Sequence, residues 1–350
     1  TAYRVDGFRF DLASILGRNE DGSPMEKPPL LQQLAFDPIL GDVKLIAEAW
    51  DAGGLYQVGK FPSWNRWAEW NGRYRDDIRR YLKGDEGTAG AAALRIAGSS
   101  DIYDPSVRDN ASVNFITCHD GFTLYDLYSY NVKHNESNGW NNTDGSNDNH
   151  SWNCGAEGET EDKAVNTLRR RMIRNACAVL MCSRGIPMFL AGDEFGNTQF
   201  GNNNPYCHDD EVSWLDWGLL EKNQDIFRFF KSMIHFRKEH PVLRSNVSNG
   251  FGGLPDISFH GTRPWAMGFS GSDRYIGVMM AGQEEGKQPE AVYIASNAYW
   301  EQLEAVLPKL PDGMEWFLAV NTWDAQVSES GPVGSGFTIP PRTVMVFCGR

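Results

Sequence analysis

Apolar and polar residues alternate along "YRVDGFRFDL" (3–12), and short apolar runs recur at "VKLIAEAW" (43–50), "RWAEWN" (66–71), "SVNFITCHD" (112–120) and "IPMFLAGDE" (186–194). Each predicts a β-strand. Helical spacing fills the intervals at 26–37, 73–84 and 161–183, with a further helix over 224–240 that Pro241 stops. Strands alternating with helices predict a parallel sheet covered by helices. After about Asn246 the pattern changes. Short runs at 274–282, 291–300, 315–323 and 342–350 are separated by Gly, Pro and Asp turns, which predicts an antiparallel β domain. The chain thus divides into an α/β unit, 1–245, and a β unit, 246–350. Residues 121–161 are rich in Asn, Asp, Gly and Ser and are not helical; so long a loop in a compact domain is usually functional.

Composition narrows the partners. The formal net charge of -13 argues against nucleic acid and anionic membrane surfaces, both of which need a basic footprint. No apolar run is long enough to span a bilayer. The six cysteines, at 118, 154, 177, 182, 207 and 348, show neither CxxC pairing nor dense spacing, which suits reduced thiols in a cytosol-like compartment. The Asn-x-Ser/Thr triplets at Asn135 and Asn246 are expected by chance in an Asn-rich chain.

Candidate chemistry comes from charged residues interrupting the apolar runs. In the first strand Val5, Gly7, Arg9 and Asp11 share one face, and Phe8 and Phe10, on the other, suit packing under helices. Glu48 is the only carboxylate inside "KLIAEAW", and "VNFITCHD" finishes on His119 and Asp120. Taken singly, each has a bland reading: Asp11 as a helix cap, Glu48 as a partner of Lys44, Asp120 as the start of a turn. Together they place three carboxylates at the C-terminal ends of three parallel strands, the face on which barrels do chemistry. A retaining glycoside hydrolase needs one ionised carboxylate as nucleophile and one protonated carboxyl as general acid. Asp11, with Arg9 two residues before it, is held ionised. Glu48, in an apolar run near Trp50, is placed to keep its proton.

"VDGFRFDLAS", "LIAEAWDAGG" and "NFITCHDGFTLYDLYSYN" resemble three conserved regions of the α-amylase superfamily, glycoside hydrolase family 13. Together with "NDNHSWNCGAEGET" and "GIPMFLAGDEFGNTQFGNNNPYCHDDEVSWLDW" their wording is closest to the isoamylase-type glycogen and starch debranching enzymes, nearly continuously over about 3–240. The resemblance implies Asp11 as nucleophile, Glu48 as acid and then base, and Asp120 as stabiliser of the distorted sugar. It implies Arg9 and His119 as partners of the nucleophile and the sugar. The implied substrate is the α-1,6 branch linkage of glycogen, amylopectin or limit dextrins, with no cofactor and no metal. Arg4 stands where His is common, and Cys118 where Ala is common. An α-1,4-acting amylase or glucanotransferase is the alternative within the superfamily, and a non-catalytic glucan-binding subunit the alternative of another class. Asp11, Glu48 and Asp120 standing together argue against the latter.

The twelve tryptophans suit stacking on sugar rings. Trp50, next but one to Glu48, is the expected ligand contact, whereas Trp67 and Trp70 are expected to fill core. Loop 121–161, straight after Asp120, is expected to wall the cleft. "DGSNDN" within it lacks the terminal Glu of a calcium loop, and His208 with Asp209 and Asp210 lacks a second His. Five strands are too few for a (β/α)8 barrel. By resemblance the first is strand four, so the fold expected is a partial TIM barrel, strands four to eight, followed by a β-sandwich. The piece is expected to belong to a larger enzyme and, alone, to expose two sheet edges and be inactive or aggregation-prone. The expected compartment is cytoplasmic, or the stroma of a plastid.

Overall fold

The computed structural model describes residues 4–350 except 105, 107–110, 245–249, 267 and 285. The expected boundary at 245/246, and with it Asn246, lies outside the described residues.

All five strands expected in the first part form, shorter than their sequence patterns: β1 (Gly7–Phe10), β2 (Lys44–Ala47), β3 (Ala68–Trp70), β4 (Ser112–Phe115) and β5 (Ile186–Met188). They make one sheet in sequence order, every pair parallel, with β1 and β5 at its two ends. Phe10 stands opposite Ala47 across β1 and β2. Because the strands run the same way, the residues that follow them leave at one end of the sheet. Asp11 follows β1, Glu48 follows β2, and His119 and Asp120 lie just beyond β4. The two Phe of β1 part company: Phe10 packs edge-on against Trp67, with ring centroids 4.8 Å apart. Phe8, on an outer strand, is 43% exposed rather than packed.

Among the described residues seven α-helices carry the connections: α1 (Pro29–Phe36), α2 (Gly72–Lys83), α3 (Ala89–Ile96), the single turn α4 (Leu124–Leu127), α5 (Lys163–Cys182), α6 (Gly218–Lys222) and α7 (Gln224–Glu239). Local chemistry sets their ends. Asn71 caps α2 by accepting the Tyr74 N–H at 2.9 Å, and Gly84, at φ +93°, closes it in the left-handed conformation that favours glycine. Asp162 accepts from the Ala164 and Val165 N–H groups at the start of α5. At its end Arg237 of α7 donates to the carbonyls of Met181, Ser183 and Gly185 at 2.6–2.7 Å, satisfying acceptors that every helix C-terminus leaves unpaired. The apolar stripe of α5, including Met172, Ile173, Ala176 and Val179, is fully buried, at roughly 1.5–3 kcal/mol for each large side chain removed from water. The short Ala-rich α3 had no periodic signal strong enough to announce it.

The second part is antiparallel, as its turn-punctuated pattern predicts. β6 (Ile257–His260), β7 (Tyr275–Gly282), β8 (Glu290–Asn297), β10 (Trp316–Asn321), β11 (Gln326–Val327), β12 (Pro332–Val333) and β14 (Thr343–Gly349) form a seven-stranded sheet. β9 (Leu303–Val306) pairs with β13 (Gly336–Ile339). Alternation along β7, β8 and β14 gives the sheet two apolar faces. Ile276, Val278, Ile294 and Val346 join one continuous core with α2, α3, α5 and α7. Met279, Tyr293 and Phe347 pack instead with Ala305 and Ile339 of the β9–β13 pair. No helix among the described residues is long and apolar enough to cross a membrane.

Candidate active site

The turn after β1 shapes the centre. Leu12 adopts φ +43°, an uncommon left-handed conformation for a side chain of its size. That bend turns the Leu12 N–H onto Glu48 Oε2 at 2.7 Å, while the Ala13 N–H donates to the Glu48 carbonyl at 2.9 Å. Arg9 then bridges two carboxylates, with Nη1 2.7 Å from Asp11 Oδ1 and Nη2 3.0 Å from Glu48 Oε2. The bland readings of Asp11 and Glu48 do not hold. The helical turn after Asp11 has no side-chain cap, and Glu48 pairs with Arg9 rather than Lys44.

The two carboxylates differ in environment. The Glu48 side chain is 2% exposed and that of Asp11 67%. Burial raises the Glu48 pKa, outweighing the Leu12 N–H and the Arg9 charge that pull it down; the negative charges of Asp11 and Asp120 push it up further. Both stabilising contacts converge on Oε2, and Glu48 lines a cavity shared with Asp120. An exposed carboxylate beside an arginine and a buried carboxyl with a raised pKa have the asymmetry that acid–nucleophile chemistry requires.

Trp70, at the end of β3, is the floor between the flanking strands. Its ring lies 4.1 Å beneath the Arg9 guanidinium and 5.8 Å from the His119 ring, and packs against Phe115. The expectation that Trp70 fills core is half the picture, since it is buried and also positions Arg9 and His119. His119 lies 3.6 Å from Asp120. Asp120 joins Glu48 and Trp50 in lining a cavity of about 300 Å³, together with Asp51, Tyr56, Arg75 and Cys118. The Trp50 and Tyr56 rings are stacked, 6.0 Å apart and 11° from parallel. The 51–55 turn beneath them is clamped by Arg18, whose Nε and Nη2 reach the Asp51 carboxylate at 2.6 and 2.9 Å and hold its pKa down at about 2. The role of Trp70 under Arg9 and the Arg18–Asp51 clamp are not legible in the sequence, because each depends on a partner distant in the chain; Tyr56, six residues from Trp50, carries no pattern that marks it out.

Residues 121–161, expected to be non-helical, contain the single turn α4, which Thr123 caps through the Asp126 N–H, and a 3-10 turn at Glu136–Asn138; the remainder is loop, tied down along its length. Buried Asp126 accepts from Thr198 Oγ1 at 2.5 Å and the Gln199 N–H at 2.8 Å, burial raising its pKa to about 6. Asn135 and Asn203 exchange two hydrogen bonds of 2.9 Å. Buried Arg169 of α5 gathers the Gly158 and Asn153 carbonyls at 2.7 and 3.1 Å. The "DGSNDN" acid Asp144 accepts from Asn138 and Asn204. His208 is held by Asn138 at 2.8 Å and Asp210 at 3.1 Å. Of the remaining tryptophans, Trp67 is core, Trp152 lies under Arg342, and exposed Trp140 donates to the Tyr206 hydroxyl at 3.0 Å.

No protein-family model matches the chain. Its sequence is 46% identical over 340 residues to isoamylase 3, chloroplastic, of Oryza sativa subsp. japonica, a match covering 97% of this chain and 42% of the relative. It is 45% identical over 349 residues to isoamylase SU1, chloroplastic, of Zea mays, covering 92% and 42%. With the glycogen operon protein GlgX homolog of Mycobacterium tuberculosis the identity is 42% over 378 residues, covering 98% and 50%. The chain therefore spans half or less of the length of these relatives. Among solved structures, a pullulanase from Bacillus acidopullulyticus superposes with a TM-score of 0.69 at 20% identity, covering 99% of this chain and 38% of that one. That likeness shows a shared α/β fold with an attached β-sheet region. Over nearly all of its length, this chain is a homologue of the isoamylases and the glycogen operon GlgX proteins.

Proposed function

We propose that this chain belongs to a retaining hydrolase of α-1,6-glucosidic branches in glycogen, amylopectin or limit dextrins. The observation that carries the reading is the single guanidinium of Arg9 joining exposed Asp11 to buried Glu48. Asp11 attacks the anomeric carbon and forms a β-glycosyl–enzyme ester. Glu48 gives its proton to the departing 6-oxygen, then takes one from the water that cleaves the ester. Asp120 hydrogen-bonds the sugar hydroxyls as the ring flattens, and His119, backed by Trp70, contacts the same sugar. Residues 1–245 read as strands four to eight of a (β/α)8 barrel within a larger enzyme, and 246–350 as its β-sandwich, with loop 121–161 walling the cleft. Six unpaired cysteines favour a reducing compartment, cytosol or stroma.

The test is linkage specificity, measured on the complete protein that carries the chain. Debranching of amylopectin deepens iodine colour and releases linear chains, whereas endo-cleavage of α-1,4 bonds bleaches it. Bleaching would move the assignment to an α-1,4-acting amylase, and binding without turnover to a glucan-binding subunit. Within the same assay Trp50→Ala is expected to raise KM about tenfold, as loss of an aromatic platform worth ~1.4 kcal/mol, with kcat changed less. An unchanged KM would remove Trp50 from the substrate's path.

A further inference from the structure

A second group of chemically capable side chains gathers where α7, β11 and β14 meet. His240 caps the end of α7, Cys348 is the penultimate residue of β14, and Glu329 follows β11. His240 Nε2 is 3.7 Å from Cys348 Sγ. A Glu329 carboxylate oxygen, a His240 ring nitrogen and Cys348 Sγ all lie within 4.8 Å of one another. Beside them opens a cavity of about 860 Å³, lined among others by His240, Glu290, Glu329, Cys348 and Arg350.

We propose that His240, Glu329 and Cys348 form a binding site for a divalent transition-metal ion of the zinc class. Imidazole, thiolate and carboxylate are the donors such an ion takes, and three protein ligands leave its fourth position to solvent. The spacing agrees. Metal–nitrogen and metal–sulfur bonds of about 2.0 and 2.3 Å at a tetrahedral angle set nitrogen and sulfur ~3.6 Å apart, close to the separation here. The supporting shell is in place as well. His240 Nδ1 lies 2.9 Å from Glu290 Oε2, and Glu290 Oε1 is fixed by the Val242 N–H at 2.9 Å. A carboxylate held in this way accepts a hydrogen bond from Nδ1–H and leaves the Nε2 lone pair facing Cys348, the arrangement that orients metal-ligating histidines. Glu329 is exposed, with the freedom to close the last ångström, and must loosen its ion pair with Arg350 to do so.

Burial, with Glu329 and Glu290 close by, keeps the Cys348 thiol protonated in the metal-free protein. Binding therefore exchanges the S–H bond for a sulfur–metal bond and releases the proton to solvent. The rival explanation is structural: His240 and Glu290 tie the end of α7 to β8, and Cys348 is a core residue. It predicts no metal affinity, which makes the two separable.

The probe is cobalt(II), added to the metal-stripped full chain. The expected result is one equivalent bound, with a near-ultraviolet sulfur-to-cobalt charge-transfer band and tetrahedral visible bands that zinc abolishes. Cys348→Ser should remove the charge-transfer band. Cys207→Ser, at the exposed cysteine, should leave it. Because Cys348 is buried, Glu329→Gln provides a variant that cannot disturb the core; it should weaken cobalt binding about tenfold or more. No band at saturating cobalt, a band that survives Cys348→Ser, or unchanged affinity in Glu329→Gln would overturn the site.

Discussion

Glu48→Gln is expected to lower kcat on branched glucan by at least about 10³-fold, within the range a general acid supplies, while glucan affinity stays within about threefold. Glutamine keeps the shape of the side chain and can still accept the Leu12 N–H, so the turn at Leu12 survives. Truncation to alanine would instead leave Arg9 and that N–H facing a hole, at a cost of about 3–5 kcal/mol for a broken buried pair, and loss of fold would be mistaken for loss of chemistry. The diagnostic substrate is an α-maltosyl fluoride, whose leaving group departs without a proton. Its cleavage by Glu48→Gln should fall much less than that of the natural branch. Equal losses on both would place Glu48 outside proton transfer.

The pH profile carries the same assignment with a definite sign. Only the protonated acid donates, and burial raises the Glu48 pKa. Activity is therefore retained to higher pH than an exposed carboxyl would allow, and falls as pH rises through the Glu48 pKa. This alkaline limb should vanish in the residual fluoride-cleaving activity of Glu48→Gln. A limb that persists there belongs to another group.

Asp11→Ala is the second large effect, a loss on the order of 10⁴-fold or more when a nucleophile is removed. Its stability cost should be under about 1 kcal/mol, since the Arg9–Asp11 pair lies at an exposed carboxylate, where solvent screens the interaction. Full folding with lost turnover would then report chemistry directly. Azide should restore turnover on the fluoride by attacking from the face Asp11 vacates, and the product should be a β-configured glycosyl azide. An α-configured product, or a rate indifferent to azide, would exclude a covalent intermediate on Asp11.

Both experiments bear on residues that local patterning had singled out. Period-two alternation fixes which side chains of a strand share a face, and parallel strands send their last residues to one end. Asp11, Glu48 and Asp120 could therefore be grouped from the sequence, as could the helices that end at Gly84 and Pro241 and the antiparallel character of the last hundred residues. Capping, turn formation and side-chain alternation are interactions among neighbours in the chain, and composition records them directly.

What only the tertiary structure decided is which distant groups meet. Leu12 bends into a left-handed turn whose N–H meets Glu48, just past the end of the next strand. Trp70 lies under Arg9 from two strands away, Asn135 locks to Asn203, and His240 faces Cys348 across the join of helix and sheet. Phe8 shows the same limit in reverse: its alternation is right for burial, yet its exposure depends on what packs against an outer strand. The sequence by itself determined the longer elements, though not the short α3 or β9, and the end of the sheet at which their reactive residues gather. Packing and register, which depend on contacts between positions far apart in the chain, decided the partners that give those residues their charge state and position.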